Sequence, residues 1–183
     1  MKAAALLLIG AFASMGTALA APVHDVTTAE VFFSPGDSGQ AALCRHIDDA
    51  KGRVRTSIFL FSKNPIADAL IRAHRRGVDV AVILDGSHLA HPKNAEPGAA
   101  QGPSPVLRKF QAAGVPVYVD TTHKTMHNKF TVVDERHVLT DSYNYNNAAE
   151  KRNAENLLVL DSPSLARQYE ADWETHRAHC LTP

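Results

Sequence analysis

Apolar residues recur in two rhythms along this chain, and the rhythms take turns. Short β-branched or aromatic runs at residues 30–33 and 56–61 read as strands. Between them, residues 40–50 carry Leu43 and Ile47 at helical spacing. Asn64-Pro65 opens a second helix and Gly77 closes it, because proline suits the first helical turn and glycine suits the residue past the end. Residues 78–84 are almost continuously apolar, as expected of a central strand covered on both faces. The order so far is β-α-β-α-β. Residues 85–103 lose all periodicity and are rich in Gly, Pro, Ala, Asn and His, which predicts a long loop. A helix at 106–113 and a strand at 115–119 follow.

The second half changes character. Phe130-Thr131-Val132-Val133 and His137-Val138-Leu139-Thr140-Asp141 read as two strands joined by a turn at Asp134-Glu135-Arg136, and residues 157–160 read as a third. Ser162 caps a final helix with Pro163 in its first position, and Leu165, Tyr169, Trp173 and His176 form a stripe expected to pack into the core. Strands alternating with helices and then running together predict an α/β fold: a mixed β-sheet flanked by helices on both faces, an α-β-α sandwich.

The first 20 residues stand outside this pattern. Met1-Lys2 is a short positive start, residues 3–13 are an apolar run interrupted by Gly10, and Ala18-Leu19-Ala20 is a small-x-small cleavage site. Residues 1–20 are therefore expected to be a signal peptide cleaved after Ala20, with a periplasmic or secreted product and no stable membrane insertion, since no later stretch approaches the length of a span. Residues 21–183 then form a single domain of ordinary size. The whole chain balances 19 Lys and Arg against 19 Asp and Glu, and cleavage removes one lysine, so net charge does not announce a polyanionic partner. Two cysteines remain. Export permits a Cys44–Cys180 disulfide, and two separate small thiols fit the sequence equally well.

Candidate chemistry concentrates after residue 123. In an extended segment His127 and Lys129 face the same way, roughly 7 Å apart, a separation that suits one phosphate group. Lys129 offers a fixed ammonium, and His127 can attack phosphorus or relay a proton. Asp134 has the opposite parity at the strand's end and takes a supporting role. Ser142 and Asn144 share a face and can donate hydrogen bonds to phosphate oxygens. Glu155, at the mouth of the third strand, can accept the proton on one ring nitrogen of His127 and sharpen the other as a nucleophile. Lys124, Lys151 and Arg152 add local positive charge for substrate binding. Histidines 88 and 91, 123 with 127, and 176 with 179 each lack an evident third ligand, so no metal site and no cofactor is expected.

The run His127-x-Lys129-x(4)-Asp134, continued by Ser142-x-Asn144 and by Asn153-Ala154-Glu155-Asn156, resembles the phospholipase D superfamily, and within it the small single-motif bacterial endonucleases. The likeness runs from about Val31 to Trp173, and residues 147–156 are similar to the segment that follows the motif in those nucleases. The resemblance implies metal-independent cleavage through a covalent phosphohistidine. It implies two histidines per site, hence a homodimer with the active site on the two-fold axis, since only one motif occurs here. It also implies that Lys129 and Asn144 stabilise phosphoryl charge, that Glu155 orients the histidine, and that Ser142 is the serine which normally follows a glycine. Asp141 stands in place of that glycine, and strand alternation puts it on the face opposite Ser142, away from substrate. Three activities fit. The first is hydrolysis of nucleic acid, DNA first and RNA second, with little sequence preference; the others are hydrolysis of phospholipid head groups and non-catalytic nucleic-acid binding on the same fold.

Overall fold

The computed structural model describes residues 22–36, 38–89 and 102–183. The expected signal peptide, His91 and most of the expected loop at 85–103 lie outside the described residues. In chain order the elements are β1 (Thr28–Ser34), α1 (Gly39–Asp49), β2 (Arg53–Ile58), α2 (Asn64–Arg75), β3 (Asp79–Asp85), α3 (Pro105–Ala113), β4 (Val117–Asp120), β5 (Lys129–Val133), β6 (His137–Asp141), α4 (Asn147–Lys151), β7 (Glu155–Asp161) and α5 (Pro163–Arg177).

The strands form one mixed sheet in the order β1-β7-β6-β5-β2-β3-β4. Strands β2, β3 and β4 run parallel, and β5, β6, β7 and β1 pair antiparallel around them. Alternate residues feed two cores. On one face α1, α2 and α3 pack Leu43, Ile47, Leu70 and Phe110 against Val54, Val82 and Leu139. On the other, α5 presses Trp173 and Ala166 onto Ile83, Phe130, Val132 and Val138. This is the α-β-α sandwich that the pattern predicts.

Two differences have clear causes. The strand expected at 56–61 begins instead at Arg53, because its early positions carry arginines that read as surface. Arg55 is nonetheless buried, with its guanidinium 5.1 Å from the Trp173 ring and its Nη2 donating to Asp79 Oδ2 at 2.5 Å. Helix α4 has no apolar period, being only five residues long, and stands because the Asn146 side chain accepts the Ala149 N–H.

The turn between β5 and β6 spans Asp134, Glu135 and Arg136, since Val133 pairs with His137, and it places both Asp134 and Glu135 at φ of 53°, with the Arg136 N–H donating to the Val133 carbonyl at 3.1 Å. Every strand end that matters for chemistry then falls on one edge of the sheet: the last residues of β2, β3, β4 and β6 and the first of β5 and β7. In α/β sheets the edge beyond the carboxyl ends of parallel strands is where loops converge on ligands.

Candidate active site

His127 lies two residues before β5, exposed, on a segment tied down from below. Asp85, buried at the end of β3, accepts the Met126 N–H with Oδ2 at 2.9 Å, and the Met126 sulfur accepts the Ser57 hydroxyl at 3.2 Å. On the other side of His127, Asn128 accepts the Phe59 N–H through its carbonyl at 3.0 Å. The Phe59 ring rests 4.8 Å from the imidazole, centroid to centroid, and limits its rotation.

Lys129 is buried at the start of β5, and its Nζ stands 3.1 Å from His127 Nδ1, 3.3 Å from Nε2 and 2.8 Å from the His127 carbonyl oxygen. The expectation that His127 and Lys129 share one face is therefore met by direct contact. Burial lowers the Lys129 ammonium's pKa, and the carboxylates of Asp141 and Glu155 pull against that shift.

Asp141 departs from expectation. The hairpin register pairs Phe130 with Thr140, so one step further Lys129 and Asp141 stand across from each other on the same face. Alternation within β6 does put Asp141 opposite in direction to Ser142, but that direction points toward Lys129 rather than away from the site. Both Asp141 carboxylate oxygens are buried without a hydrogen-bond partner. Burial raises its pKa well above the ordinary value, with Lys129 opposing the shift and Glu155 adding to it.

Ser142 and Asn144 leave the sheet edge while Tyr143 and Tyr145 turn inward as buried anchors. The Tyr145 hydroxyl and Thr131 Oγ1 are 2.9 Å apart, and Thr131 Oγ1 meets Thr56 Oγ1 at 3.0 Å. Asn144 accepts the Leu60 N–H at 3.3 Å. Glu155 does not reach His127 within this chain. Its two oxygens take the Ser142 hydroxyl at 2.6 Å and the Asn153 amide at 2.9 Å. Asp134 lies at the far end of β5, where its carboxylate accepts the N–H groups of Lys51, Gly52 and Arg53 at 2.7–3.2 Å. Desolvation raises its pKa, but those three donors outweigh it and hold the group below the usual range. Asp134 thus braces the β2 start, at the end of β5 opposite to His127. Lys124, Lys151 and Arg152 are exposed on the segments flanking the site edge.

Residues 43–177 match the family described as "Cardiolipin synthase, PLD-like domain". The chain belongs to the phospholipase D superfamily. It is 32% identical over 146 residues to a phospholipase D of Rickettsia bellii, a match covering 80% of this chain and 67% of that protein. It is 35% identical over 138 residues to the mitochondrial cardiolipin hydrolase of Xenopus laevis, covering 75% and 60%. The chain therefore spans about two thirds of the length of such relatives. Among solved structures, the phospholipase D family member Nuc from Salmonella typhimurium superposes with a TM-score of 0.72 at 28% identity, covering 85% of this chain and 97% of that one. This membership supports an enzyme that hydrolyses phosphodiesters.

Within the superfamily's motif, the site collects His127, Lys129, Ser142, Asn144 and Glu155 at one edge and sends Asp134 to the other. Sequence reasoning missed Phe59, just past the end of β2, and Asp85, at the end of β3, which position His127 from segments distant in sequence and carry no local signal. It also missed a polar cluster beside the site, in which Asp120, His123, His176 and His179 converge. The pairing of histidines by sequence proximity hid it, and His176 leaves the core stripe of α5 to join it. The permitted disulfide is absent. Cys44 packs on the α1–α3 face and Cys180 on the α5 face, and both thiols are free.

Proposed function

We propose that this protein is an exported phosphodiesterase that hydrolyses nucleic acid, DNA first and RNA second, with little sequence preference, through a phosphohistidine intermediate and as a homodimer. The observation that carries the reading is an exposed imidazole, His127, held against Phe59 with the buried Lys129 ammonium beside both ring nitrogens. One face offers a nucleophile and a cation to the same phosphate. A ring nitrogen of His127 attacks phosphorus, an N–P bond forms, and the bond to the leaving oxygen breaks as that oxygen takes a proton from His127 of the partner subunit. Water then gives a proton to that second imidazole and attacks phosphorus, and the N–P electron pair returns to His127. Lys129 and Asn144 stabilise the phosphoryl charge. Glu155, bound here by Ser142 and Asn153, faces the same edge and orients an imidazole once two copies meet.

Nucleic acid is favoured because this chain covers almost the full length of Nuc and only part of the lipid-named relatives. The exposed bases Lys124, Lys151 and Arg152 suit a polyanion. A second reading, phospholipid hydrolysis, is favoured by those relatives' names and by Val31, Phe33 and Leu158, exposed together on the outer face of β1 and β7. No described helix is long and apolar enough to cross a membrane.

Purified protein is incubated, without added divalent ion, with plasmid DNA and separately with cardiolipin-containing vesicles. Nicking with an acid-labile radiolabelled adduct, both abolished in His127→Ala, is the expected result. Head-group release without nicking overturns the substrate, binding without turnover overturns the enzyme, and nicking retained in His127→Ala overturns the nucleophile.

A further inference from the structure

Asp120 ends β4 with its side chain fully buried, and three imidazoles surround one of its oxygens. Oδ2 lies 2.8 Å from His123 Nδ1, 3.3 Å from His176 Nδ1 and 3.3 Å from His179 Nε2. The other oxygen, Oδ1, accepts the N–H groups of Thr122 and His123 at 2.9 and 3.1 Å, so the carboxylate cannot swing. One ligand atom from each of the four residues falls within 4.8 Å of every other. A tetrahedral ion with bonds near 2.0–2.1 Å needs its ligand atoms about 3.3 Å apart, a contraction within reach of side-chain rotation.

We propose that Asp120, His123, His176 and His179 form a structural site for one divalent cation of the zinc class, outside the phosphodiester-cleaving centre. Three imidazole nitrogens and one carboxylate oxygen select a borderline ion over calcium or magnesium, which prefer oxygen shells. Four protein ligands complete a tetrahedron and leave no position for substrate, so the ion staples and does not catalyse. The other ring nitrogen of His176, Nε2, points out of the cluster, 3.5 Å from Asn128 Nδ2 and 3.7 Å from Asp172 Oδ2, which leaves Nδ1 to face the ion. His176 is in the last turn of α5 and His179 just beyond it, where the helix dipole favours positive charge.

The site joins two segments distant in the chain. His123 lies in the loop that leads from β4 to His127, and the two other imidazoles belong to the C-terminal segment, which already pairs with β4 through Val119 and Leu181. A bound ion would lock that loop to the tail and steady the approach to His127 without touching it.

The test uses the full chain without an affinity tag, stripped by chelator, dialysed and titrated with Zn(II), followed by calorimetry and thermal melting, with Co(II) as a spectroscopic probe. The expected result is one equivalent bound per chain, the visible bands of tetrahedral Co(II), and a rise in melting temperature of roughly 5–10 °C at a hundredfold excess over Kd. The double variant His176→Ala, His179→Ala is expected to lose the equivalent, while His127→Ala keeps it, which separates this site from the catalytic histidine. Absence of stoichiometric uptake by the wild-type chain overturns the proposal whether or not the double variant folds. Uptake that persists in the double variant, or disappears in His127→Ala, also overturns it.

Discussion

Replacing Asp141 by glycine tests the electrostatics of the site most directly. The carboxylate is buried beside Lys129, and neither oxygen has a hydrogen-bond partner. Its folded-state pKa is raised, chiefly by burial, so the folded protein holds the proton over a range where the unfolded chain has released it. Stability is then greatest below the unfolded value near 3.9 and declines as pH rises from there toward the raised folded value. A buried polar group left unpaired costs about 1–3 kcal/mol, and glycine in a strand costs about 0.5–1 kcal/mol, so the variant is expected to be more stable at pH 8 by roughly 1–2 kcal/mol. For a domain of this size that is about 2–8 °C in melting temperature. At pH 4.5 the difference shrinks or changes sign. Freed of a competing carboxylate, Lys129 is also expected to bind substrate phosphate more tightly and lower KM. Paired thermal melts from pH 4.5 to 8, with steady-state nicking at each pH, supply the assay. A stability difference that does not change with pH, or a variant that is relatively weaker at pH 8, would refute the reasoning by showing that Asp141 is paired.

Asp134→Ala is expected to cost about 2–4 kcal/mol by stripping three backbone N–H groups of their charged acceptor, while kcat per folded molecule stays unchanged. Because the folded pKa of Asp134 is lowered, its contribution is present above the unfolded value and lost as pH falls through the folded one, so acid melts of wild type and variant converge. Lys129→Ala is expected to reduce kcat/KM by about 10²–10³-fold through lost phosphoryl stabilisation, measured on plasmid under initial-rate conditions. Cys44 and Cys180 are expected to migrate and melt identically with and without reductant. They sit on opposite faces of the sheet, and burial pushes each thiol up to about 11.

Local pattern was enough for the layers of the fold and for the chemical letters of the site. Helices α2 and α5 are legible because proline opens both, glycine follows α2 and their apolar spacing is helical, and the β5–β6 hairpin because its turn opens on Asp134, a residue type that tolerates left-handed backbone. His127 and Lys129 are legible for the same reason: two residues apart where extended chain enters β5, they share a side by parity alone. Tertiary structure decided whatever depends on which strands are neighbours. Parity could say that Asp141 opposes Ser142 but not that it faces Lys129, because facing is set by the hairpin register. The same limit hid Phe59 and Asp85 behind His127, and it hid the convergence of Asp120 and His123 with His176 and His179, whose members are contributed by the end of β4 and the C-terminal segment more than 50 residues later. Side-chain periodicity is a property of one element and is written in consecutive residues, whereas contact between elements arises only when the burial of both sheet faces forces them together.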